Sequence, residues 1–492
     1  MPFLDLPSSV RMCFEVLQPD DGTATVDPTR PTLVTLVPFV SPTFMDVPQM
    51  RPGSSLRANY QIVALSPRSH GRTTSTVRPE HDPYVSAADV AFAFEALKLP
   101  PSPIYAPGFI AGRIAVALAV LFPDLVTSLA LIGVSGCHGM TTVEGFRTLD
   151  ASMFNPEEPA DLYETLGELA KSLYNDELHV DAFDDLMNFL LRRHNPRHAL
   201  HSFELCRLAY LNVDLTPEAL ASIQQPVLAL HGGEDQYTRL DVVQRWTDQL
   251  YRSTSVETPI IPGAPHLCWT THPEKTTALI SSFLARHAPT RPLAYTPPDF
   301  AGALHRTATL FANPDALLRD PGLPESFSSL TAQEAMVVAA DIERIAGYEE
   351  AWRARPLIDG AEGVDPWEEE CTDLVPQPRW RWSRRNDLVP PISRANSVSV
   401  ATEVVVSTQR NTAALATDER PRSFVEVSVS PSSSSSPHAD AGAAVPGARN
   451  GAEDDDSKLS RKDSGFADGL DGEAFKSDLE TSAAVGGPAL AT

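Results

Sequence analysis

Short apolar runs and amphipathic stretches alternate along roughly the first 288 residues of the chain. Leu33 to Phe39 (LVTLVPF), Gln61 to Leu65 (QIVAL), Leu129 to Val134 (LALIGV) and Val227 to His231 (VLALH) are such runs, with another ending at Ile104 to Ala106 and the last at Glu257 to Ile261. Runs this short, rich in β-branched residues and bounded by Pro, Gly or Ser, read as buried strands. Between them, Ser86 to Leu97, Gly112 to Phe122 and Leu240 to Leu250 carry apolar residues at helical spacing. Strands that alternate with helices predict an α/β class: a mostly parallel sheet with helices on both faces.

Two departures from this alternation set the organisation. Residues 140 to 215, between the fifth strand and Val227, hold helical patterns (ADLYETLGELAKSLY and VDAFDDLMNFLLRR) and no strand. A helical lid inserted there covers the carboxyl ends of the strands, where such sheets bind ligands. The main domain is therefore expected over residues 1–288. Residues 289–387 read as a Pro-punctuated helical extension with one clear helix, Thr331 to Arg353. Its Ala335, Val338, Ala339, Ile342 and Ile345 share a face expected to pack on the main domain or on a partner helix. Residues 388–492 are acidic and rich in Ser, Ala and Gly, a composition expected to stay disordered. The extension and tail are where a protein partner is expected to dock.

Composition narrows the function. The chain has 492 residues, 42% of them apolar, and 39 basic against 64 acidic side chains give a net charge of −25. That balance argues against nucleic acid as a partner. Five scattered cysteines are an odd number without a C-x-x-C pair, which excludes a disulfide framework and a cysteine zinc module. The N-terminus has no basic start with an apolar core, and the longest apolar run, Ile114 to Phe122, is nine residues. Nine residues cannot span a bilayer, so a soluble, cytoplasmic protein is expected. No phosphate loop, dinucleotide fingerprint or H-E-x-x-H occurs, and no cofactor or metal is expected. His194, His198 and His201 lie at helical spacing, but Pro196 and three neighbouring arginines favour a solvated basic helix end over a metal site. PRWRWSRRN (Pro378 to Asn386) reads as a short docking motif.

Three separated segments resemble, in order, the motifs of the α/β-hydrolase superfamily, in its lidded esterase and epoxide-hydrolase branch. YQIVALSPRSHGRT (Tyr60 to Thr73) is similar to the strand and D-x-R-G-H-G-R-S turn, with Ser66 for the Asp and Ser69 for the first Gly. LTPEALASIQQPVLALHGGED (Leu215 to Asp235) resembles the lid exit, a strand and the acid-bearing turn. GAPHLCWTTHPE (Gly263 to Glu274) resembles the G-x-G-H loop, with Pro265 for the second Gly. The resemblance covers residues 30 to 286. It implies hydrolase chemistry, with His266 as base and Asp235 as its orienting acid; Glu234 is an alternative acid.

That chemistry needs a nucleophile on a strained strand-to-helix elbow, G-x-S-x-G. Aligning the motif without gaps over Ile104 to Pro123 puts Phe109 at the nucleophile position, and a shift by one puts Ile110 there. Neither side chain can attack a carbonyl. The oxyanion H-G is replaced by a stretch around Val37-Pro38-Phe39-Val40, and proline donates no N–H. Ser135, with Cys137, follows a strand's carboxyl end and is a weak alternative nucleophile. Two readings follow. In one, the chain is a diverged member with impaired or lost hydrolytic chemistry. It keeps a small-molecule pocket lined by Phe39, Phe109 and Ile110, suited to a small apolar molecule, or it binds a protein. In the other, it is a serine-independent hydrolase or lyase for small ester-like substrates, using His266 and Asp235 or a relocated nucleophile.

Overall fold

A computed structural model describes residues 2–354, apart from 19–24, 40–46, 135–151, 158, 176–179 and 211–214. Ser135, Cys137, the PRWRWSRRN segment and the 388–492 tail lie outside the described residues. The chain opens with a hairpin that the apolar pattern does not reveal, β1 (Phe3–Leu6) and β2 (Val10–Leu17), antiparallel with Leu6 opposite Val10. Its tip holds Ser8 and Ser9 in left-handed backbone conformations, φ 59° and 58°. Such turns ordinarily announce themselves with Asn-Gly or Asp-Gly, and Pro-Ser-Ser carries no comparable signal.

The remaining strands are β3 (Thr32–Leu36), β4 (Gln61–Leu65), β5 (Ser102–Pro107), β6 (Val126–Ile132), β7 (Val227–Gly232), β8 (Val256–Glu257) and β9 (Ile260–Ile261). They form one sheet in the order β1-β2-β4-β3-β5-β6-β7-β8, with β9 also on β7. From β4 through β9 every pairing is parallel. β8 and β9 are one edge strand interrupted at Pro259: β8 pairs Val227 and Leu228, and β9 pairs His231 and Gly232. β4 is buried at all five positions, as expected of a strand covered on both faces.

The helices α1 (Pro83–Leu97) and α2 (Phe109–Leu121) pack against each other beside the sheet. Asp82 caps α1 by accepting from the amides of Tyr84 and Val85. Every residue of α2 is buried, so it is an interior helix with no polar face. Between β6 and β7 lie α3 (Pro159–Tyr174), α4 (Val180–Arg193) and α5 (Ala199–Tyr210). After β7 come α6 (Leu240–Asp248) and α7 (Pro273–His287).

Beyond α7 the chain stays on the body of the fold. One clear helix is expected in this region, and two are present, α8 (Phe300–Leu310) and α9 (Ala332–Arg353). Phe300 stacks on Phe92 of α1 at 4.3 Å, and Phe327 meets Phe122 at 5.6 Å, so this segment extends the core. Thr331 and Glu334 form a reciprocal capping box at the start of α9. Val338 and Ile345 are the buried side chains of α9, which lies against α5 and the turn Pro196–His198. No helix among the described residues is long and apolar enough to cross a membrane.

Candidate active site

The carboxyl ends of β5, β6, β7 and β9 bring the resemblance's residues together. After β7 the chain turns sharply, and Asp235 Oδ1 accepts from the amides of Tyr237 (2.9 Å) and Thr238 (2.8 Å). Its Oδ2 accepts from His266 Nδ1 at 2.8 Å, and His231 Nδ1 lies 3.6 Å away. A carboxylate only accepts, so Nδ1 carries the proton of this bond. Burial alone raises the pKa of Asp235, but His266, His231 and the Thr238 amide more than offset it and hold the carboxyl below its usual range. Burial lowers His231, favouring its neutral form, against the pull of Asp235.

Close backbone packing fixes the imidazole. Gly133, at the end of β6, has φ +62°, and a Cβ there would lie 2.8 Å from His266 Cε1. A Cβ on Gly232 would lie 2.2 Å from the carbonyl oxygen of Pro265. The loop bearing His266 therefore rests directly on two strand ends. His266 is 1% exposed, and its Nε2 has no hydrogen-bond partner among the described residues.

The strand-to-helix turn after β5 has its positive φ on Gly108 (φ 86°, ψ 155°), while Phe109 and Ile110 are already the first residues of α2. The backbone feature that marks an elbow thus falls one or two residues earlier than either sequence alignment places it. A Cβ on Gly108 would meet the Trp269 indole at 3.4 Å and Pro38 Cβ at 3.7 Å. Trp269 is wholly buried, and its ring lies 6.3 Å from that of His266. Tyr237 closes the imidazole from another side at 4.8 Å, and Phe109 packs on Tyr237 at 5.3 Å and on Phe39 at 5.9 Å. Neither Tyr237 nor Trp269 is marked by a sequence motif. Each lies two or three residues beyond a motif residue, in GGEDQYT and PHLCW.

Phe39, Phe109 and Ile110 line one cavity, together with Tyr237. The inserted helices supply its other wall, including Leu169, His194 and Cys206. It measures about 20 Å³, room for about one water. His266 is not among the residues lining it, because Phe109 and Tyr237 stand between. Glu234 is exposed and its amide donates to the carbonyl of Ala264.

The Arg/His stretch expected to be a solvated helix end is instead packed inward. His194 is 1% exposed, with Nδ1 on Ser202 Oγ at 3.1 Å, and Arg193 donates to the carbonyl of Ser69. Burial pushes His194 down to about 3 and His70, on the loop after β4, down to about 4, with Arg193 acting in the same direction on both. Both rings are buried, and His194 lines the apolar cavity, which a solvated helix end would not do. Among the described residues no group of three His, Cys, Asp or Glu side chains is arranged to hold a metal ion.

No family profile and no curated protein matches the sequence. Solved structures do. The enol-lactonase from Burkholderia xenovorans LB400 superposes with TM-score 0.45 at 13% identity, over 58% of this chain and all (100%) of that one. A thermophilic esterase from Thermogutta terrifontis gives TM-score 0.46 at 17% identity, over 58% and 99%. An α/β hydrolase, MGS-M2, from a Medee basin deep-sea metagenome library gives 0.48 at 16%, over 57% and 97%. By its strand order, its strand-to-helix elbow after β5, and an acid after β7 that meets a histidine after β9, this chain has the α/β-hydrolase fold.

Proposed function

We propose that this protein is a member of the α/β-hydrolase fold without ester-hydrolysing chemistry, whose lid-covered pocket accepts a small apolar molecule. The observation that carries this reading is the elbow. It presents Gly108, which has no side chain, and the Trp269 indole sits 3.4 Å from where a Cβ would project. No nucleophilic atom is present at that position, and losing the nucleophile removes most of the rate in hydrolases of this design. The aromatic and aliphatic lining of the cavity favours an apolar ligand, admitted when the inserted helices move.

A second reading is supported by the His266–Asp235 pair. Its 2.8 Å bond orients the ring, and Nε2, without a partner among the described residues, is the atom that in a neutral imidazole takes a proton from water. Turnover of a panel of activated short- and medium-chain esters by the full chain and by His266→Ala separates the two. Equal, background rates are expected. Saturable turnover that disappears in the variant would overturn the first reading and establish the second.

A further inference from the structure

We propose that residues 325–353 form a strap that holds the inserted helices closed over the buried site, so that the insert opens only when the strap lets go of α5. The argument starts from a buried polar network that the hydrolase motifs do not account for. Arg68, on the loop after β4, makes a bidentate pair with Asp89 of α1, Nε to Oδ2 at 2.6 Å and Nη2 to Oδ1 at 3.1 Å. Its third nitrogen reaches forward to Glu325 at 3.0 Å, and Ser8 of the N-terminal hairpin donates to the same carboxylate. The strap thus begins on a fully buried guanidinium.

The neighbouring residues tie the insert to the same place. Ser69 donates to Glu204 of α5, and His81 Nδ1 lies on the other oxygen of Glu204 at 2.8 Å. His81 Nε2 meets Ser86 Oγ at 2.7 Å. Serine, histidine and glutamate in this order have the bonding of a catalytic triad, but all three are at most 1% exposed and none lines the pocket. They act as a bolt. One turn on, Arg207 of α5 donates to the carbonyls of Arg78 (2.9 Å) and His81 (2.7 Å).

The strap then closes over α5 from outside. Asp82, between His81 and α1, accepts from Ser328 Oγ at 3.1 Å and from the Ser329 amide at 2.8 Å. At the far end Glu349 of α9 accepts from the Leu200 amide at 2.9 Å, placing a carboxylate on the N-terminal turn of α5, where negative charge is favourable. Arg353 donates to the carbonyl of Arg197 at 2.8 Å. Helix α5 is therefore held on one side by the core and on the other by α9.

The two attachments differ in strength. The inner one is desolvated and has several members, so breaking it strands buried charge. The outer one rests on two buried apolar side chains of a 22-residue helix, Val338 and Ile345, on the half-buried Ile342 and Tyr348, and on polar contacts that are part-buried at Glu349 and exposed at Arg353. Met336 and Val337 on the same helix are 73% and 62% exposed. Segments with so few buried contacts open first. Helix α9 is accordingly the part whose release precedes any movement of the insert, and this holds whether or not the pocket is catalytic.

Cysteine labelling tests the proposal in the full chain carrying Cys137→Ser and Cys371→Ser. Cys206 lines the pocket on α5, while Cys13 and Cys268 are buried in the core. In Glu349→Ala/Arg353→Ala, Cys206 is expected to react with a thiol reagent about ten times faster than in the parent. Cys13 and Cys268, resolved by peptide mass spectrometry, are expected to keep their rates. Arg353→Ala alone gives a smaller change in the same direction, and Met336→Ala none. An unchanged Cys206 rate overturns the proposal, because the insert is then not held by α9. Equal acceleration at all three cysteines also overturns it, because the insert then opens only with the whole fold. Ester turnover plays no part in this readout, so the proposal and the functional reading fail separately.

Discussion

The packing of the His266 loop on the strand ends can be separated into its conformational and steric parts by a glycine-to-alanine series. Gly53 has φ +86° and nothing within 4 Å of the built Cβ, so Gly53→Ala meets only the left-handed backbone penalty, about 1–2 kcal/mol. Gly232 shows no positive φ, but its Cβ would sit 2.2 Å from the Pro265 oxygen and 2.5 Å from the Ala264 oxygen. Backbone cannot rotate aside as a side chain does, so Gly232→Ala is an overpacking change, costing about 1–3 kcal/mol. Gly133 combines both: φ +62° and a Cβ 2.8 Å from His266 Cε1. Gly133→Ala is therefore expected to lose roughly 2–5 kcal/mol, the sum of the two effects. Urea denaturation at constant m-value reads each loss from the shift in midpoint. A Gly133→Ala loss no larger than that of Gly53→Ala would refute the reasoning, since the imidazole would then have room to move and would not be fixed by the strand end.

The other expectations concern charge and the elbow. His70 and His194 are held down to about 4 and about 3 by burial, so both are neutral in the fold while the unfolded chain protonates near pH 6.5. Their contribution is complete above pH 6.5 and lost as pH falls from there toward 4, with a slope of up to about 1.4 kcal/mol per pH unit for each. His194→Gln is expected to flatten the fall in urea midpoint between pH 6.5 and 4.5, and an unchanged slope would count against its buried neutral state. Arg68→Met leaves Asp89 unpaired in the core and is expected to lose about 3–5 kcal/mol in the same assay. Arg68→Met/Asp89→Leu should recover part of it, and a double variant no better than the single would show that the pair does not act as one unit. Gly108→Ser alone is expected to give no ester turnover, because Phe109 and Tyr237 separate His266 from the cavity where an ester would sit. Ester turnover in Gly108→Ser would contradict that separation.

How far the sequence reveals this fold depends on what each element buries. β4 coincides with QIVAL because all five of its residues are buried in the sheet, which makes the run continuous. The hairpin escapes notice because its turn uses two serines with positive φ, and because Pro2 and Pro7 break the apolar rhythm. Helix α8 escapes because its buried residues, Ala303, Leu304 and Thr307, are few and set among prolines. At the site, GGED and GAPH bring Asp235 and His266 within 2.8 Å, a pairing their motifs imply. The elbow was legible as a place but not in register: a gapless alignment follows the helix and lands on Phe109 or Ile110, whereas the backbone makes its positive-φ turn on Gly108. The aromatic shell of Tyr237 and Trp269 depends on how loops fold over one another, and no spacing rule encodes that.

The Asp235–His266 pair also has a structural role that needs no reaction. Asp235 has two jobs: Oδ1 closes the turn after β7 by accepting from the amides of Tyr237 and Thr238, and Oδ2 accepts the hydrogen bond from His266 Nδ1. A buried carboxylate at that turn needs a donor for its second oxygen, or it pays the full desolvation of an unpaired acceptor. His266 supplies that donor while its ring fills the space between Gly133, Tyr237 and Trp269. Turn closure and packing thus suffice to keep both residues in place without catalysis. Gly108 makes no comparable bond: a Cβ there would meet the Trp269 indole and Pro38 at ordinary contact distances of 3.4 and 3.7 Å, so the positive φ, not crowding, is what favours glycine. Under the proposed function this asymmetry lets the acid and the base persist through turn closure and packing alone, which makes substitution at the elbow, rather than at the dyad, the sharper test of that proposal.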